Sequence, residues 1–184
     1  YCPNHPDWYG KFDYTPQGFH GMILGTSDGT VFIDPVFHGA LYPTSYIAYH
    51  RDHFISSATN IFSCDATNDV IDTSLDNNQL LGRFGSCELR TYRLALAATG
   101  EYTAFHGGTV ALGLAAQNTT MNRVNGVFER DIAITMTIIA NNDLLVYTNS
   151  GSDPYSNGNA GTMLGQNQSN IDANFYQFSD QLNF

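Results

Sequence analysis

His50 and His53 stand three residues apart in the run Tyr49-His-Arg-Asp-His-Phe54, a His-x-x-His spacing. On a helix, two histidines so spaced share a face and could share a metal ion. Tyr46 to Arg51 reads as a strand instead, where residues i and i+3 face opposite ways, so the pair is not expected to converge. His106 precedes Gly107-Gly108 at a strand-to-helix turn, a position that often hosts function. No Cys, Asp or second His lies near it in sequence, and its expected role is to cap or pack the turn. Glu101, Glu129 and Asp131 could form a carboxylate pair or a calcium ligand set, yet they fall at the ends of elements, where solvated termini account for them. Gly107-Gly108 is not followed by the Gly-x-Gly-x-x-Gly or Gly-Lys-Ser/Thr pattern of a phosphate cradle. No Ser, His and Asp arrangement marks a nucleophile. No catalytic, cofactor-binding or metal-ligating residue is therefore assigned.

The elements that would position such residues are clearer. Tyr92, Leu94 and Leu96 alternate with Arg93, Ala95 and Ala97, which fits a half-buried strand. Gly107-Gly108 breaks the chain, and Thr109 stands where a helix N-cap is wanted. Val110, Leu114, Met121 and Val124 then fall on one helical face, and Gly126 is expected as the C-cap. After it Ile132, Ile134, Met136 and Ile138 share one strand face, and Ala133, Thr135, Thr137 and Ile139 the other. Neither face carries charge, which predicts an interior strand covered on both sides. Strand, crossover helix and strand make a right-handed βαβ unit, so the fold class is α/β locally and α+β overall.

Three blocks follow along the chain. Residues 1–55 read as a β-rich unit: Phe19 to Leu24 and Thr30 to Ile33 flank the turn Gly25-Thr-Ser-Asp-Gly29, and Tyr46 to Tyr49 supplies a third strand. Three short strands bury little, so this unit should lean on a partner surface. Residues 56–86 turn to Asn, Asp, Ser and Thr and read as a linker or long loop, the segment expected to be most open to proteolysis. Residues 87–184 hold the α/β block, with a loop over Thr148 to Gly165 and a short helix around Gln166 to Ala173.

Composition excludes some partners. Seventeen acidic residues face seven basic ones for a formal charge of −10, and Lys11 is the single lysine. Phosphate neutralisation needs several cations on one face, so no nucleic-acid partner is expected. No run of eighteen apolar residues provides a membrane span. The chain has no initiator methionine or leader, which fits a processed protein. Cys2, Cys64 and Cys87 are odd in number and widely spaced. Cys64–Cys87 is the pair to test first, with free thiols or pairing to another chain equally open. Asn118-Thr-Thr and Asn167-Gln-Ser match the glycosylation sequon.

Arg90 to Gly108 (RTYRLALAATGEYTAFHGG), Met121 to Ile139 (MNRVNGVFERDIAITMTII) and Asn141 to Tyr155 (NNDLLVYTNSGSDPY) resemble the opening of the catalytic domain of secreted bacterial reprolysin-type zinc metallopeptidases, a branch of the metzincins. Phe12 to Phe37 (FDYTPQGFHGMILGTSDGTVFIDPVF) resembles the late prodomain of the same precursors. The resemblance implies residues 1–55 as prodomain-like, 56–86 as an activation junction and 87–184 as the N-terminal half of a catalytic domain. It implies zinc for a full-length relative, bound by His-Glu-x-x-His and a third His, but this chain contains no His-Glu dipeptide. Tyr1 to Gly10 and Asn174 to Phe184 depart from the family pattern. The implied function is a fragment of a secreted metallopeptidase precursor that cleaves protein or peptide substrates only as the full-length protein. Its implied partners are the remaining C-terminal half or copies of itself. The other reading is a non-catalytic extracellular structural or interaction protein that assembles into oligomers or filaments.

Overall fold

The computed structural model describes residues 7–37, 39, 41–53 and 88–175. The three cysteines and the junction-like segment 56–86 lie outside those residues.

Four antiparallel strands form the first sheet in sequence order: β1 Tyr9–Thr15, β2 Gly18–Thr26, β3 Gly29–Pro35 and β4 Tyr46–His50. The hairpin expected around Gly25 to Gly29 is present, and both glycines adopt positive φ, at 85° and 94°, as its tight turn requires. Tyr46 to Tyr49 falls in β4, which runs against β3 with Phe32 opposite Tyr49 and Asp34 opposite Ile47. Strand β1 was not expected. Its alternation is inverted: Tyr9, Lys11, Asp13 and Thr15 are half-buried, while Phe12 and Tyr14 are 53% and 71% exposed. Phe12 stacks on Phe19 at 5.8 Å, and Phe19 meets Tyr46 edge-on at 6.4 Å, so an aromatic row runs across the outer face of the sheet.

The second sheet pairs β5 Arg90–Leu94 with β6 Ile134–Ile138 in parallel, Tyr92 opposite Met136. Between them run two helices, α1 Gly100–Phe105 and α2 Val110–Ile132. Thr99 caps α1 by accepting from Tyr102 N at 3.3 Å, and Thr109 caps α2 by accepting from Leu112 N at 3.2 Å, as its position predicts. The helix does not stop at Gly126. It continues to Ile132 and closes on Ala133 in the left-handed conformation (φ 53°), so Ile132 and Ala133 belong to helix and cap rather than to the strand. Gly126 serves a different need: a Cβ there would lie 2.6 Å from Met22 Cε and 2.9 Å from Lys11 Cγ, so its missing side chain lets the first sheet approach.

Helix α2 is buried on two faces by small and polar residues more than by the Val110, Leu114, Met121 and Val124 stripe. Met121 alone of those four is buried, together with Gly113, Ala115, Ala116, Gln117, Thr119 and Gly126. Gln117, Met121 and Asn125, four apart, lie on the second-sheet side. Gln117 Nε2 donates to Leu96 O at 2.8 Å, and the buried Asn142 bonds Leu96 N, Leu96 O and Gln117 Oε1. Asn125 donates to Met136 O and accepts from Met136 N, both at 2.8 Å. It thereby occupies the groups a further strand would use at that point of β6. The expectation of a strand covered on both faces is not met among the described residues, where every β6 residue keeps at least partial exposure and the sheet has two strands.

The last helix, α3 Ala160–Phe175, begins well before the expected Gln166. Asn159 Oδ1 accepts from Thr162 N at 3.0 Å and caps it, a signal obscured by Gly161 and Gly165.

Two-stranded parallel sheets seldom stand alone. With Leu89 52% and Tyr92 49% exposed beside β5, and the aromatic row open on the other sheet, the chain should associate. Light scattering at micromolar concentration should give a mass above that of one 20.2 kDa chain. A monomeric mass with a cooperative melt would sink this expectation.

Candidate functional site

The first sheet meets helix α2 through charged and polar side chains, and the chemistry of the molecule is concentrated at that seam. It begins with Asp34, on β3. Its Oδ1 accepts from Arg123 Nη2 at 2.6 Å and lies 2.8 Å from His20 Nδ1, and its Oδ2 accepts from Tyr49 OH at 2.9 Å. Burial alone would raise the Asp34 carboxyl, but the hydrogen bonds from His20, Arg123 and Tyr49 and the guanidinium charge hold it below the ordinary range. Burial and the Asp34 carboxylate push the Tyr49 phenol up to about 12.

Two further links flank this cluster. Asp13 on β1 accepts from Thr119 Oγ1 at 2.6 Å and from Asn122 Nδ2 at 3.2 Å. Glu129 on α2 pairs with Lys11 Nζ at 2.7 Å, accepts from Thr135 Oγ1 at 2.7 Å, and is hydrogen-bonded by Tyr9 OH. Burial opposes the charge on Glu129, yet Lys11, Tyr9 and Thr135 together keep its carboxyl low. Thr119, Asn122, Arg123, Gly126 and Glu129 repeat at helical spacing, so one stripe of α2 carries the whole seam.

A cavity of about 450 Å³ opens beside the seam, walled by Gln17, His20, Asp34, His106, Thr119 and Arg123 with Pro35, Phe37 and Ala116. That volume suits a small ligand.

The residues singled out from sequence behave as follows. His106 is the C-cap of α1, its N–H bonded to the carbonyls of Tyr102 and Thr103 and its ring 4.5 Å from Tyr102. Its carbonyl accepts from Gln17 Nε2 at 2.8 Å, which ties it to the first sheet. His50 ends β4 and His53 lies in the 3-10 turn Arg51–His53, with ring centroids 5.5 Å apart. The turn brings the rings closer than a continuing strand would. Asp131 pairs with the neighbouring Arg130 at 2.6 Å in solvent, and Glu101 is exposed in the first turn of α1. Glu129 is a correction: it is a seam residue, not a solvated helix end. Gly25-Thr26-Ser27-Asp28-Gly29 has nucleophile-elbow spacing but joins two antiparallel strands, not a strand and a helix, and the Ser27 hydroxyl bonds Asp28 at 3.2 Å. Asp34, Arg123, His20, Tyr49, Lys11 and Asp13 were missed as a group. The two usable signals were a lone acid ending the apolar run Val31-Phe-Ile and a lone arginine in the neutral run Thr119 to Val127.

These features describe an α/β block carrying a docked β-sheet. The model of the reprolysin-like metallopeptidase family M12B matches residues 88–182, just over half of the 184-residue chain, and the chain belongs to that family. Comparison with curated proteins and with solved structures gave no match. The family implies zinc, but the side chains here do not suit it: among the described residues no three His, Cys, Asp or Glu groups come together to hold a metal ion.

Two outcomes test the seam. Gly126→Leu should drive a side chain into Met22 and Lys11 and cost about 1–3 kcal/mol, measured by denaturant unfolding. A neutral result would mean that the sheet does not rest on α2. Asp34 and Glu129 are both held low, so their stabilisation is complete above the unfolded carboxyl value of about 4 and lost as pH falls through the lower folded values. Asp34→Asn should cost about 2 kcal/mol at neutral pH, from weakened charged hydrogen bonds, and should flatten the acid limb of the pH–stability curve. An unchanged acid limb would remove Asp34 from that account.

Proposed function

We propose that this chain is part of the precursor of a secreted zinc metallopeptidase of bacterial type, in which residues 1–55 act as a prodomain and residues 87–184 as the first half of the catalytic domain. The observation that carries the reading is the family match over residues 88–182. The docking of the sheet supports it: a β-unit too small to bury its own core rests on the principal helix of the α/β block, through polar contacts that suit a separable partner. Segment 56–86 is then the activation junction. Peptide-bond hydrolysis belongs to the full-length protein, whose remaining half supplies the zinc ligands, and its substrates are proteins or peptides. Low charge and abundant Asn, Thr and Ser support an extracellular setting.

The described side chains position rather than react. Asp34 and Arg123 fix the sheet on the helix, Asn125 ties β6 to the helix, and Gln117 and Asn142 hold the segment after β5. Zinc, where the full-length protein holds it, would polarise the attacking water.

The partly exposed aromatic row Phe12, Phe19 and Tyr46 favours a second reading, a non-catalytic assembly built on the same scaffold. Metal analysis and peptide cleavage separate the two. The chain of 184 residues, washed free of loose metal, should carry no stoichiometric zinc and cleave nothing, because it has no His-Glu-x-x-His. A longer gene product should hold zinc and cleave a generic peptide until a chelator is added. If that longer product neither binds zinc nor cleaves, the assembly reading stands instead.

A further inference from the structure

Arg123 has two sides. One meets Asp34 at the seam; the other borders a second, smaller cavity of about 120 Å³ lined by Phe32, Tyr49, Arg51 and Arg123. Among the described residues no acid lines this cavity, and two of the chain's six arginines do. In a protein of formal charge −10, two arginines on one small cavity are a local concentration of cations. The Arg123 Cζ lies 5.0 Å from the Phe32 ring centroid, so stacking on β3 fixes the guanidinium. Its Nε is buried and has no hydrogen-bond partner among the described residues, although a guanidinium donor so placed is costly to leave unmade. Asp34, the nearest acid, is already engaged by His20, Arg123 and Tyr49. Arg51 forms no salt bridge among the described residues.

We propose that Arg51 and Arg123 form a binding site for an oxyanion, a phosphate or carboxylate group held by their guanidiniums in this cavity. The planar fork of a guanidinium matches two oxygens of either group. Arg123 keeps one side on Asp34, and Arg51 brings a second guanidinium to the same cavity, so an anion there would meet two cationic groups. The Tyr49 hydroxyl is committed to Asp34, so the phenol serves as wall and not as donor to the anion. The site lies on the face of the sheet–helix seam formed by β3 and β4, and does not depend on the peptidase reading.

The test uses the full chain and four additives at matched ionic strength: sodium chloride, inorganic phosphate, a short peptide with a free C-terminal carboxylate, and the same peptide as its amide. Phosphate, the free-acid peptide or both should raise the thermal midpoint saturably, while chloride and the amide should not; the responding additive identifies the source of the oxyanion. Arg51→Gln removes one charged donor pair from an exposed residue and should weaken that binding about tenfold. Arg51→Lys keeps the charge but loses the fork and should fall between the two. If no additive gives a saturable response above chloride, or if Arg51→Gln responds like the parent chain, the site does not exist.

Discussion

Helix α2 has to satisfy two sheets at once, and the rest of the molecule is arranged around that demand. A helix buried on two faces would ordinarily be apolar nearly all round. Here the buried positions are glycine, alanine, threonine, glutamine and one methionine. Small residues let both sheets come close, and polar ones bind them by hydrogen bonds, so contact is won by proximity and pairing more than by bulk. The arrangement tolerates few substitutions, because each small residue faces a specific neighbour: Gly126 faces Met22 and Lys11, and Gly113 faces Val146 and Thr103.

That economy explains what could be read from the residues and what could not. Capping and turn chemistry are local, so Thr109, the Gly25 to Gly29 hairpin and β4 were legible. The helix end was not, because glycine at position 126 has two meanings. It can close a helix, or it can admit a neighbour, and only the position of Met22 decides between them. Strand β1 was hidden for a related reason. Phe12 and Tyr14 point outward and Lys11 and Asp13 inward, the reverse of the pattern that marks a strand on an apolar core. The inversion follows once the surface it covers is known to be the polar stripe Thr119, Asn122, Arg123 and Glu129.

The candidate site was illegible for the same cause. Asp34 and Arg123 are 89 residues apart, as Asp13 and Thr119 are 106 apart, and no local spacing links them. Histidines attracted attention by residue type, yet among the described ones it is the side chain of His20, in no motif, that meets the seam. The family resemblance reached the fold of the α/β block without reaching these contacts, since a scaffold can be recognised where a docking surface cannot.

A polar seam also has a thermodynamic character that an apolar one lacks. Desolvating Asp13, Asp34 and Glu129 costs most of what their hydrogen bonds return, so such pairing adds little net stability while penalising any misfit strongly. The sheet therefore has one register on the helix and a modest hold there. Breaking one link leaves a buried charge without its partner, so the links are expected to fail together. A unit fixed in place yet weakly held is what the proposed prodomain role would require. The apolar surface that would make the union permanent lies on the opposite face of the same sheet, where Phe12 and Tyr14 remain turned to solvent.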